Sequence, residues 1–256
     1  MNEIDEAVDW QGATIACDGC AHVALRAQDR CRLRHACVND RYARRIDRFF
    51  DWNRELANEY VSHPHFEVRA IAAKHASVFL LAPLLDDPEE TVRWNAARRV
   101  PKRLMLKLRN DPHREVRIRV VSLLDDSELL PMMGDPDYYV RLVIARRVAP
   151  TLLIRMIDDA EPEVRRVVAR RMPKEWLARM LSDADASVRV EIAQRLPPAL
   201  LSRLRDDADW RVRYEVASRI AIEGLGALAA DSDGFVRDRA LSRMSNPPVE
   251  TEEHSR

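Results

Sequence analysis

Four cysteines stand in the first 37 residues of this 256-residue chain, and none occurs afterwards. Cys17, Cys20, Cys31 and Cys37 form the pattern C-x2-C-x10-C-x5-C. Four thiols so close together point to one shared metal site, because thiolates are the ligands of structural zinc and of iron–sulfur clusters alike. Zinc sites usually carry two close Cys-x-x-Cys pairs, and here the second pair is stretched. The ferredoxin run C-x2-C-x2-C-x3-C-P is not matched either. Spacing alone therefore leaves zinc and iron–sulfur open. Arg26, Arg30, Arg32 and Arg34 would offset the negative charge of either site. His22 and His35 could replace a thiolate, but beside four cysteines they read as supporting or surface groups.

Other chemistries find little support. Structural disulfides do not suit a chain read as cytoplasmic, and a thioredoxin-type Cys-x-x-Cys would need a βαβ setting. Haem attachment would need His directly after Cys20, where Ala21 stands. No His-Glu-x-x-His or Ser-His-Asp arrangement is visible, and the seven histidines share no spacing. The Cys-x3-Cys-x2-Cys run of radical S-adenosylmethionine enzymes is missing. Only six glycines are present, with no phosphate-cradling loop. The expectation is a protein that is not an enzyme.

The cysteine region must be positioned by the rest of the chain, and most of that is a repeat. Val-Arg recurs at Val68-Arg69, Val92-Arg93, Val116-Arg117, Val140-Arg141, Val164-Arg165, Val188-Arg189, Val212-Arg213 and Val236-Arg237, always 24 residues apart. A strict period marks stacked structural units. Counting from the valine, apolar residues fall at positions zero, four, five and eight, a helical spacing. Five residues before each valine from the second onward stands Asp87, Asp111, Asp135, Asp159, Asp183, Asp207 or Asp231, followed by proline in the first three. This predicts Asp as helix N-cap and proline at the first helical position. Pro101, Pro150, Pro173 and Pro197 should end the helices. Leucine pairs such as Leu104/Leu108 and Leu200/Leu204 predict a second, shorter element. A helix of about 13 residues leaves room for a 3-10 or short α piece but not for a second full helix. A leucine-rich repeat with a strand is the rival, and no Leu-x-Leu alternation supports it.

Two arginine columns require partners. The Val-Arg arginine falls on the core side of the helix, so a buried ladder to the recurring Asp is expected. A second column, seven residues after the valine, comprises Arg99, Arg147, Arg171, Arg195, Arg219 and Arg243, with His75 and Leu123 as exceptions. These sit where cations favour a helix C-terminus, although a regular row could also form a phosphate-binding groove. Base-stacking aromatics do not recur with them. Structure is the stronger reading, and nucleic-acid binding the dissenting one.

Lys and Arg number 42 against 42 Asp and Glu, so no global field draws the chain to nucleic acid or an anionic membrane. No run approaches the ~18 apolar residues of a membrane span, and MNEIDEAVDW is acidic where a secretory signal begins basic. The chain reads as cytoplasmic, without membrane contact. Three regions are expected: residues 1–60, a cysteine-rich domain whose amphipathic 39–63 stretch caps the repeats; residues 61–245, the solenoid; and residues 246–256, a polar tail.

The 24-residue unit of Asp, Val-Arg, paired small apolar residues, proline and Leu-x-x-x-Leu, preceded by this cysteine cluster, resembles the leucine-rich repeat variant family over nearly the whole chain. The resemblance implies an all-α, right-handed superhelical solenoid of eight repeats, alternating α and 3-10 helices without a sheet. It also implies an N-terminal domain holding a [4Fe-4S] cluster on Cys17, Cys20, Cys31 and Cys37, and so favours iron–sulfur over zinc. With all irons capped by cysteine, none would remain open to substrate. The functions expected are a repeat scaffold for a protein partner, responsive to redox state or iron, or alternatively an electron-transfer protein docking a redox partner.

Overall fold

The computed structural model describes residues 6–246. Residues 1–5 and all of the expected polar tail except Asn246 lie outside that description. Among the described residues there are helices and turns but no strand; two isolated bridges, Val8 to Thr14 and Arg32 to Ala36, are the sole β-type pairings. This all-helical repeat architecture is the one the 24-residue period predicts.

Among the described residues twelve α-helices succeed one another: α1 (Val23–Ala27), α2 (Ala43–Trp52), α3 (Phe66–His75), α4 (Glu90–Ala97), α5 (Lys102–Met105), α6 (Arg114–Val121), α7 (Asp126–Leu129), α8 (Tyr138–Arg147), α9 (Pro162–Arg171), α10 (Ala186–Arg195), α11 (Trp210–Arg219) and α12 (Gly234–Ser245). Between the long helices run 3-10 segments, seven residues each at Pro150–Met156, Lys174–Met180 and Pro198–Leu204. In two repeats this second element starts instead as a single α turn, α5 and α7, before tightening to 3-10. The chain forms two compact units, divided between Leu124 and Asp125. In the first, α2 packs on α3, α3 on α4 and α4 on α6; in the second, α8 through α12 pack each on the next. The amphipathic α2 thus covers the first repeat helix, as a cap should.

Position zero is buried in every repeat, from Val68 to Val236. Buried with the valines are small alanines such as Ala97, Ala145, Ala169 and Ala193, whose size suits close helix approach, and leucines of the 3-10 layer such as Leu153, Leu177 and Leu201. The helices stop at Ala97, Arg147, Arg171 and Arg195, two to four positions before the prolines. The residue before a proline is driven to extended backbone, and Ala149, Met172 and Leu196 have ψ of 139°, 159° and 139°.

The helix starts correct the sequence expectation. The N-cap is two residues past the recurring Asp, at Glu89, His113, Asp137, Glu161, Asp185, Asp209 and Asp233. Pro88, Pro112 and Pro136 therefore precede the helices rather than open them. The recurring Asp accepts instead from the cap residue's backbone N–H at 2.8–3.0 Å, closing an Asx turn. Its carboxylate is also claimed by the preceding repeat. Nε and Nη2 of Arg69, Arg93, Arg141, Arg165, Arg189 and Arg213 donate to Asp87, Asp111, Asp159, Asp183, Asp207 and Asp231, all at 2.7–2.9 Å. The remaining Nη1 donates to carbonyls of the arginine's own loop, for example Asp135 at 2.8 Å from Arg141. One planar guanidinium thereby joins two loops 18 residues apart, a task that its fork of donors fits and an ammonium would not.

The second arginine column closes helix ends. Nη1 of Arg171 donates to the Ala145 carbonyl at 2.6 Å, and Arg243 to Ala217 and Ile220 at 2.9 and 2.7 Å. Arg99, Arg195 and Arg219 bond the equivalent carbonyls of Ala73, Ala169 and Ala193. These carbonyls lack partners within their own helix. Five of the six arginines that could have formed a phosphate groove are thus engaged with backbone.

Candidate metal centre

Two short backbone devices deliver the four cysteines. The first is a turn in which Cys20 N–H donates to Cys17 carbonyl at 3.1 Å, bringing residues i and i+3 together just before α1. The second is a tight hairpin closed by Arg32 and Ala36, with Arg32 N–H to Ala36 carbonyl at 2.9 Å and the reverse bond at 2.8 Å. Its bridge places residues 31 and 37 next to each other across the hairpin. The five residues between these cysteines, puzzling as a zinc spacing, are the hairpin itself.

All four cysteines are free thiols. Cys37 is buried and the other three are partly exposed. The Cys37 thiol is hydrogen-bonded to Cys31, which holds Cys31 below the ordinary thiol range and pushes Cys37 far above it, with burial adding to the rise. The Cys17 and Cys20 sulfurs lie close enough for their charge to oppose ionisation of Cys31, while Arg26 favours it. N–H donors converge on this sulfur-rich patch. The His22 backbone N–H donates to Cys20 Sγ at 3.4 Å, the Asn39 side-chain amide to the same sulfur at 3.6 Å, and the Asn39 backbone to Cys37. Such donors stabilise negatively charged sulfur and are the levers that tune iron–sulfur sites. The donor set fits an iron–sulfur group: four unbridged thiols, gathered by separate loops, with N–H bonds directed at sulfur. Among the described residues no group of three or more His, Cys, Asp or Glu side chains is arranged to hold a single metal ion.

The floor of the site is α2. Ile46, Phe49 and Phe50 are fully buried there. His22 packs its ring against Phe49 at 5.3 Å and hydrogen-bonds the Tyr60 hydroxyl. Burial and the neighbouring Cys20 push the Tyr60 hydroxyl up to about 12. His35 is held by Arg48, which meets its ring at 3.0 Å and its carbonyl at 2.8 Å. Both histidines therefore support the region through their rings. Sequence reading did not single out Asp40 and Arg45, which pair at 2.9 Å with exposures of 0% and 10%. Arg45 also donates to the Glu6 carbonyl at 3.0 Å and lies over the Tyr42 ring. Their five-residue separation carries no pattern that could have marked them.

Known proteins resemble both regions. Residues 7–59, which include all four cysteines, match the family described as "LRV protein FeS4 cluster". A solved structure titled "a leucine-rich repeat variant with a novel repetitive protein structural motif" is 37% identical, superposes with a TM-score of 0.83, and is matched over 90% of this chain and 98% of its own. The chain belongs to the leucine-rich repeat variant family. The match to the cluster family falls on the N-terminal region. A further relative is the "uncharacterized 27.7 kDa protein in nifB 3′ region" of Rhodobacter capsulatus, 47% identical over 92 residues. That match covers 36% of this chain and 38% of the relative. No helix among the described residues is long and apolar enough to cross a membrane.

Proposed function

We propose that this leucine-rich repeat variant protein is a non-enzymatic scaffold for a protein partner, and that Cys17, Cys20, Cys31 and Cys37 hold a [4Fe-4S] cluster through which redox state or iron supply is sensed. What supports this reading is that a turn and a hairpin supply four free thiols beside α2, with the Cys37 N–H donating to the Arg45 carbonyl at 3.2 Å and His22 packing on Phe49. That helix also packs on α3, the first helix of the repeats. When bound, the cluster would supply a redox couple tuned by the hydrogen bonds to its sulfurs. The chain's own part is to orient the thiols, direct the His22 and Asn39 N–H groups at sulfur, and keep one face dry with Phe49 and Phe50. Cluster loss would release the turn and hairpin from one another, and α2 is the element through which the repeats would feel it. A solenoid suits the scaffold role because its stacked units present an extended surface. Electron transfer to a docked redox partner is the second reading, favoured by the partial exposure of Cys17, Cys20 and Cys31. We place this protein in the cytoplasm.

Anaerobic purification with iron, zinc and acid-labile sulfide analysis tests the assignment. About four irons and four sulfides per chain are expected for a [4Fe-4S] cluster, with a brown chromophore that bleaches on reduction. Each Cys→Ser variant should lose most of both while the repeats keep their helical circular dichroism. One zinc and no sulfide would make the region a structural cap and end the redox reading.

A further inference from the structure

The Cys31 edge of the N-terminal region is rimmed by positive charge. A cavity of about 580 Å³ opens beside Cys31, lined by Arg26, Asp29, Cys31, Arg32, Leu33 and Trp52. Between residues 26 and 34 the chain carries four arginines against one aspartate, although its overall balance is zero. Arg30 is occupied by Glu55 and by the Trp52 carbonyl. Arg26, Arg32 and Arg34 are exposed and, among the described residues, their guanidinium groups make no hydrogen bond or ion pair. The contrast with the repeats is sharp, since eight arginines of the first column and five of the second are spent there on carboxylates and carbonyls.

The backbone underlines the point. Asp29 and Arg34 have φ of 55° and 63°, a left-handed conformation that residues with a Cβ adopt only at a steric cost. These two turns bracket Cys31: Arg26 and Arg32 line its cavity, and Arg34 stands exposed at the tip of the hairpin beside it. Trp52, 37% exposed, adds an aromatic face to the same cavity. Unpaired Arg beside exposed Trp is the composition of protein-docking hot spots. Guanidinium groups bind carboxylates in a bidentate fashion, and opposed charge both speeds and orients docking. A nucleic acid fits less well, because one tryptophan is no stacking track and the regular arginine rows are already engaged.

We propose that the Arg26, Arg32 and Arg34 rim with Trp52 is a docking face for the acidic surface of a partner protein, brought against the Cys31 edge of the site. This rests on the reading of that site as an iron–sulfur centre for its purpose, but the docking itself needs only the rim.

The test titrates the full-length, anaerobically purified protein with a small acidic ferredoxin as probe. Cytochrome c, a basic protein, and a single-stranded oligonucleotide serve as contrasts, at about 20 mM and about 300 mM salt to span weak and strong screening. The ferredoxin should bind, weaken as salt rises, and lose about tenfold in affinity or more in R26E/R32E/R34E. Cytochrome c should not bind. The triple variant R155E/R179E/R203E, which makes the same charge change on exposed 3-10 positions of the repeats, should stay close to the parent. Equal losses in both variants, no ferredoxin binding by the parent, or tighter binding of the oligonucleotide would each overturn the proposal. If the glutamate variant fails to fold, Arg32→Gln with Arg34→Gln should still weaken binding, whereas Asp29→Asn should tighten it; the reverse order would overturn it. Iron and sulfide are measured on the same samples. A parent without iron would remove the cluster reading and leave the docking result standing on its own.

Discussion

The repeats and the cysteine region use the same residue, arginine, in opposite ways. In the repeats a bidentate ion pair over 18 residues recurs six times, each with a carbonyl clasp within the arginine's own loop, and five helix ends receive an arginine from the next unit. Each pair repeats its neighbour's job, so register is set many times over. In the N-terminal region no contact recurs. Arg45 has one buried carboxylate, Arg48 one histidine, Arg30 one glutamate, and Arg26, Arg32 and Arg34 make no hydrogen bond or ion pair among the described residues. Redundancy suits a scaffold. Single contacts around thiols suit a region whose shape depends on what it binds.

The largest effect should therefore come from a single N-terminal contact. Asp40→Ala leaves the Arg45 guanidinium buried without its carboxylate and frees the Tyr42 N–H that Asp40 also accepts, at 3.0 Å. We expect nearly complete loss of bound iron with the melting of the repeats almost unchanged. Iron analysis and circular dichroism on one sample decide it, and a variant that keeps its iron would dissolve the contrast between the regions. Next comes Arg141→Met, which strands Asp159 at 5% side-chain exposure. Breaking one partner of a buried pair costs about 3–5 kcal/mol. A denaturant midpoint unchanged from the parent would mean that the ladder is ornamental, whereas partial recovery in Arg141→Met/Asp159→Leu would show that the stranded charge, more than the lost bond, causes the damage.

The smallest effect is on acid stability, and the ladder fixes its sign. The hydrogen bond from Arg213 holds the Asp231 carboxyl below its usual value. Arg69 and Arg189 do the same for Asp87 and Asp207, outweighing burial, which pushes those carboxyls up. A carboxyl whose folded pKa is depressed contributes stability in full above its unfolded value, near 3.9, and loses it as pH falls through the folded value. Stability of the parent should thus fall with pH below about 4 more steeply than that of Arg213→Met, and parallel curves would remove Asp231 from the balance.

Parts of this molecule are legible in its sequence for a plain reason. A 24-residue period writes the same constraint eight times, so the valine columns, the proline stops and the Arg–Asp partnership all stand out against a varied background. The cap is misplaced by sequence reading because Asp followed by proline is also a helix-start signal, and only the neighbouring repeat's arginine explains why the Asp lies two residues further out. Arg171 and Arg243 are legible as helix-end cations, whereas the carbonyls they reach belong to another repeat, 26 residues earlier.

The sequence by itself determined the repeat, the helical character of its first element, the shortness of its second, and the four cysteines as one group. Those properties are local or periodic, and local sterics and periodic burial are written in residue order. Tertiary structure alone decided that the five residues between Cys31 and Cys37 form a hairpin, that Asn39 and His22 aim N–H groups at Cys20, and that Arg26, Arg32 and Arg34 make no hydrogen bond or ion pair among the described residues. Each depends on which side chains from distant segments arrive at one place, and no single segment carries that information.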